Sequence, residues 1–93
     1  MKVDVKLFAT LRLKLGRGAL SIDSEENLTV RELIEVVGRQ TGTDIAPYLL
    51  TEEGELQVGT MILVGGKNIH HLDGLDTTVE SADVSVFPPA GGG

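Results

Sequence analysis

One helix signature with alternating segments on both sides of it bounds the fold of this chain more than any other feature. Thr29-Val30-Arg31-Glu32 matches the S/T-x-x-E box, in which the hydroxyl and the carboxylate each bind a backbone N–H that a helix start leaves orphaned. Val30, Leu33, Ile34 and Val37 then recur at i, i+3, i+4 and i+7, so the predicted helix has a single apolar stripe to bury. Gly42 is placed to end it, since glycine takes the left-handed conformation of a helix stop.

The flanking segments read as strands. From Met1 to Ala9, Val3, Val5, Leu7 and Ala9 share one phase, while Lys2, Asp4, Lys6 and Phe8 share the other, the pattern of a half-buried strand. A turn at Gly16-Arg17-Gly18 leads to a second short strand at Ala19–Asp23, and the two form a predicted hairpin. Asp44 to Gly59 carries Pro47, Gly54 and several acids, predicting a loop with one short helical turn over residues 45–50. Met61-Ile62-Leu63-Val64, then Gly65-Gly66, then Lys67-Asn68-Ile69 predicts a tight hairpin, because its turn needs positive φ. Val84-Ser85-Val86-Phe87 alternates as a last strand and stops at Pro88-Pro89. The expected architecture is therefore α+β: a mixed sheet of about five strands in the order β-β-α-β-β-β, with one main helix packed across it.

At 93 residues the chain has room for one core, and halving it would leave two units too small to be stable. The expected division is a folded domain over 1–87 and a C-terminal tail over 88–93. Phe8, Tyr48 and Phe87 are its only aromatic residues, so valine, leucine and isoleucine must build the interior. The lack of cysteine excludes a disulfide framework, a thiol nucleophile and a zinc-thiolate site. A net charge of −6 opposes binding to nucleic acid or an anionic bilayer. Lys2, Lys6, Arg12, Lys14 and Arg17 cluster early, yet no aromatic residues are interleaved to stack on bases, and strand-edge lysines account for them. No apolar leader or long apolar run is present, so a cytoplasmic location is the default expectation.

Phe8 and Phe87 both fall on the phase opposite the valines of their strands. With first and last strands side by side, they make an exposed aromatic patch of the kind that marks a partner surface. Beyond them, Pro88-Pro89-Ala90-Gly91-Gly92-Gly93 has stiff prolines at its exit and then glycines, around whose bare backbone a narrow tunnel can close. Six residues reach on the order of 20 Å. The chemical handle is the α-carboxylate of Gly93. A frayed terminus accounts for a glycine-rich end equally well when that end is taken alone.

Other candidate chemistry is poorer. His70-His71 sit side by side on the expected strand and so point to opposite faces, which disfavours a shared metal. Glu52, Glu53 and Glu55 lack the spacing of a calcium loop. Gly65-Gly66 precedes no helix and so cradles no phosphate.

Taken together, Val5-Lys6-Leu7-Phe8-Ala9-Thr10-Leu11-Arg12 and Asp83-Val84-Ser85-Val86-Phe87-Pro88-Pro89-Ala90-Gly91-Gly92-Gly93 resemble the MoaD/ThiS family of ubiquitin-like sulfur carriers, and within it the branch of molybdopterin synthase small subunits. The resemblance implies a β-grasp fold and a non-catalytic carrier. An E1-like enzyme would use ATP to adenylate Gly93, and a sulfur donor would convert the adenylate to a thiocarboxylate. A MoaE-like large synthase subunit would then receive the sulfur for molybdenum or tungsten cofactor synthesis. No cofactor is bound; ATP belongs to the activating enzyme. The resemblance makes Gly91 and Gly92 the threading residues and Phe8, Phe87, Pro88, Pro89 and Ile69 the partner surface. Sulfur delivery to thiamin thiazole or tRNA, a ubiquitin-like protein modifier, and an inert interaction module stay open as alternatives. Ser81-Ala82-Asp83 stands where relatives place a Gly-Asp turn.

Overall fold

The computed structural model describes residues 1–89. Alternation in the first segment produces strand β1, Lys2–Leu7, whose side chains are exposed and buried in strict turn. It pairs antiparallel with β2, Ala19–Asp23, through Val3 opposite Ile22 and Val5 opposite Leu20. The connection between them is not a simple turn, because Ala9–Leu15 is a helix, α1. In Leu11-Arg12-Leu13-Lys14-Leu15 the leucines alternate like a strand and also recur at i, i+4 like a helix, so periodicity cannot choose. The fold selects the helix: Leu11 is fully buried, Leu15 packs on the core, and Leu13 is left 82% exposed. Gly16, at φ 69°, ends it with its N–H on the Arg12 carbonyl.

The capping box forms as expected. Thr29 Oγ1 accepts from the Glu32 N–H at 3.1 Å, and Glu32 Oε1 accepts from the Thr29 N–H at 3.0 Å. Helix α2, Val30–Thr41, buries Val30, Leu33, Ile34 and Val37 and stops at Gly42. The short turn expected near 45–50 is a single helical turn, α3, Ala46–Leu49. Strand β4, Met61–Val64, turns through Gly65 and Gly66, both at positive φ, into β5, Lys67–Asn68. The expected extension of β5 to Ile69 does not occur; a 3₁₀ turn starts there. Last comes β7, Val84–Phe87, parallel to β1 and antiparallel to β4.

The sheet order is β2-β1-β7-β4-β5, the mixed five-stranded sheet with a helix across it that defines a β-grasp roll. Two further strands, β3 at Leu28–Thr29 and β6 at Thr78–Val79, make a small separate ladder that tethers the start of α2. Pairs are too short there to carry a visible period. The core lies between the sheet and α2, built from Val3, Val5, Leu7, Ile22, Val37, Ile62, Val84, Val86 and their neighbours.

The turn before β7 carries a cost. Ser81 adopts φ 47°, a left-handed conformation that costs an L-residue about 1–2 kcal/mol. Ser81→Gly removes that strain and adds part of it back as unfolded-chain entropy. The net expected gain is about 0.5–1 kcal/mol, read as a rise of a few degrees in the thermal midpoint. An unchanged or lower midpoint would show that the turn is not strained.

Candidate functional site

Phe8 stands at a junction. Its N–H donates to the Val86 carbonyl at 3.2 Å, extending the parallel β1–β7 ladder, while its own carbonyl accepts from the Arg12 N–H at 3.4 Å and starts α1. Leu7 is paired with Val86, so the next residues in register are Phe8 and Phe87. Their rings stack, with centroids 4.2 Å apart and planes 12° from parallel. Ala9, at φ 51°, then swings the chain away from the sheet.

The aromatic pair therefore lies at the end of β7, off the core face, as the phases predicted. Both residues are half-buried rather than fully exposed, since each ring covers one face of the other. The antiparallel register puts Met61 opposite Phe87, and Met61 is 36% exposed. Its neighbour on that face, Leu63, is half-buried opposite Ser85. Sequence reasoning missed Met61 because Met61–Val64 is apolar throughout and shows no phase; only the register against Val84–Phe87 reveals it. Val58, 99% exposed, leads into the same strand. An apolar strip of Phe8, Phe87 and Met61 thus surrounds the place where the chain leaves the sheet, with Lys6 beside Ser85 at its border.

Two expectations need correction. Ile69 is not part of this surface: it is fully buried, because the strand ends at Asn68 and the 3₁₀ turn rotates Ile69 inward while Asn68 Oδ1 accepts the His70 N–H at 2.9 Å. Nor does the folded body end at Phe87. Pro88 is buried and Pro89 half-buried, and a Cβ placed on Gly59 would lie 3.6 Å from Pro89 Cβ. The prolines are packed against the body, and the four residues that follow Pro89 in the sequence have a contour length of at most about 14 Å. The threading residues Gly91 and Gly92 and the handle Gly93 lie outside the described residues.

His70 and His71 occupy the 3₁₀ turn rather than a strand, with ring centroids 5.7 Å apart in an edge-on arrangement. Among the described residues no cluster of three or more His, Asp or Glu is arranged to hold a metal. No described helix is long and apolar enough to cross a membrane. What the site offers is an apolar collar beside a chain exit, formed by Phe8, Phe87 and Met61.

Against known proteins, the sequence pattern of the ThiS family matches residues 5–93. A relative from Archaeoglobus fulgidus, provisionally named a sulfur carrier protein, is 38% identical over the whole of both chains. Small archaeal modifier protein 3 of Haloferax volcanii is 31% identical, again over both full lengths. Among solved structures, a Pyrococcus furiosus protein provisionally named molybdopterin converting factor subunit 1 superposes with a TM-score of 0.71 at 26% identity, covering 97% of this chain and 99% of that one.

Proposed function

The chain belongs to the ThiS family, and from that premise we propose that it is a sulfur carrier loaded at the α-carboxylate of Gly93. A carboxylate oxygen of Gly93 attacks the α-phosphorus of ATP in the activating enzyme, and pyrophosphate leaves. The sulfur of a hydrosulfide or persulfide donor then attacks the acyl carbon, the C–O bond to AMP breaks, and the thiocarboxylate remains. With hydrosulfide the balance closes without an oxidant; a persulfide needs two electrons from a thiol to release its sulfur. The carrier holds no cofactor in this scheme, and its dependence on ATP fits a cytoplasmic setting.

The observation that carries the reading is the collar: Phe8 stacked on Phe87, with Met61 opposite and Pro88 buried, immediately before Ala90-Gly91-Gly92-Gly93. A partner that grips the apolar strip fixes where the chain exits, and the glycines present no side chain to a narrow channel. The carboxyl carbon is then held for attack by position alone.

For the sulfur's destination, we propose the pterin precursor of molybdopterin, received with a MoaE-like large subunit. The name of the Pyrococcus furiosus protein supports this. A second reading, attachment of Gly93 to a lysine of another protein, draws its support from the Haloferax volcanii relative named as a modifier. Both share the adenylated intermediate and part only at the nucleophile. Thiamin thiazole and tRNA remain as other acceptors of the same sulfur.

Incubation with the cognate activating enzyme, ATP and a sulfur source is expected to raise the intact mass by about 16 Da, one oxygen exchanged for sulfur. An unchanged mass with a competent enzyme would remove the carrier reading. Co-purification with a pterin-binding subunit supports the molybdopterin branch, and Gly-Gly remnants on cellular lysines support the modifier.

A further inference from the structure

Beside α3 the surface opens into a preformed cleft of about 580 Å³ that neither Phe8 nor Phe87 lines. Ala46, Pro47 and Leu50 give it an apolar floor, and Thr51, Gly54 and Gln57 stand on the facing loop. The loop is held fast. Gln57 Nε2 donates to the carbonyls of Pro47 and Leu50 at 2.8 and 2.9 Å, the Gln57 N–H donates to the Leu49 carbonyl at 2.8 Å, and Leu50 bridges to Leu56. Arg31 Nη1 donates to the Gly54 carbonyl at 2.8 Å and anchors the far wall to α2. A cleft fixed by this many bonds keeps its shape when empty, so an occupant need not spend affinity on ordering it.

Its charge selects the occupant. Asp44 and Glu52 line the cleft, and the exposed Glu53 and Glu55 follow on the same loop. We infer that this cleft is a second docking site, taking a protein segment in which one apolar side chain is flanked by lysine or arginine. The apolar group would fill the floor and the cations would meet the acidic rim, an arrangement that sets specificity and speeds encounter. The loop that walls the cleft also meets the tail root: Gln57 lines the cleft, and two residues on, a Cβ on Gly59 would lie 3.6 Å from Pro89 Cβ. A partner receiving the C-terminus can therefore reach both. Assigning the segment to such a partner rests on the carrier reading; binding in the cleft does not. This chain itself carries a segment of the required kind, Arg12-Leu13-Lys14 with Leu13 exposed. A second copy is thus the competing occupant, opposed by repulsion between chains of charge −6.

The test titrates the isotope-labelled full chain with a synthetic amidated peptide, Arg-Leu-Lys-Leu-Arg, and follows backbone amide resonances. Expected are saturable shifts at Thr51, Glu52, Gly54 and Gln57, weakened about fivefold or more by the surface substitution Glu52→Lys. Equal binding by Arg-Gly-Lys-Gly-Arg would reduce the effect to bulk charge and overturn the proposal. So would shifts confined to Phe8, Met61 and Phe87, or movement of the cleft resonances on dilution alone, which would make a second copy the occupant. The mass assay run beside it keeps the two readings apart. If unsubstituted chain gains no sulfur, the carrier reading fails while the titration still decides the cleft.

Discussion

One uncleaved residue added after Gly93 is expected to slow sulfur loading by at least about 100-fold. Each residue advances an extended chain by about 3.5 Å, and a misplacement of about 1 Å at a reacting centre is enough to cost on the order of 100-fold. The collar fixes the other end of the lever. With Pro88 buried and Pro89 against Gly59, slack cannot be taken up by peeling the prolines from the body without exposing apolar surface. The extended chain keeps every contact of the folded residues, so its thermal midpoint should match the parent. Initial rates of mass gain under identical enzyme and ATP decide the point. Loading at the parent's rate would mean that the reactive group is not the carboxylate of Gly93.

The second large effect separates the two apolar sets that sequence reading had joined. Phe8→Ala or Phe87→Ala removes half of a stacked pair on the strip that we propose a partner grips. A truncated aromatic anchor at an interface costs about 2 kcal/mol or more, or roughly 30-fold in affinity. The stability lost is smaller, since both rings are already half-exposed and an aromatic pair adds about 0.5–1.5 kcal/mol. Ile69→Ala should behave in the opposite way. Ile69 is fully buried, so its truncation leaves a cavity and costs about 2–5 kcal/mol of folding stability, with little change in the affinity of the molecules that stay folded. Denaturant melts and calorimetric titration against the activating enzyme give both quantities. Were Ile69→Ala to weaken binding as strongly as Phe87→Ala, the division between core and contact surface would be wrong.

Legibility followed period and capping. Helix α2 was readable because one box and one stripe agreed with each other, and the structure contains both. Strands β1, β4 and β7 were readable from alternation or from turn glycines. The aromatic pair was readable because each phenylalanine lies on the wrong phase for the core, an inference that needed only the adjacency of first and last strands.

Failures came where two periods coincide or where the phase is silent. Leu11, Leu13 and Leu15 satisfy a strand and a helix at once, and tertiary packing of Leu11 chose the helix. Ile69 follows an apparent hairpin strand, but the Asn68 side chain caps a 3₁₀ turn and rotates it into the core. Met61 was invisible because its strand is apolar on both faces, and only register assigns it to the strip. The proline exit looked free since proline offers no pattern of burial; the approach of Gly59 reveals the packing.

The central claim is that the body exists to present a sulfur-bearing C-terminal carbonyl, and fragmentation of the chain isolated from its own cells tests it most directly. Fragments that contain Gly93 should carry the increment of about 16 Da, and those ending at Gly92 or earlier should not. An increment that maps to any internal residue, or its absence from chain held at full activity in its pathway, would contradict the account.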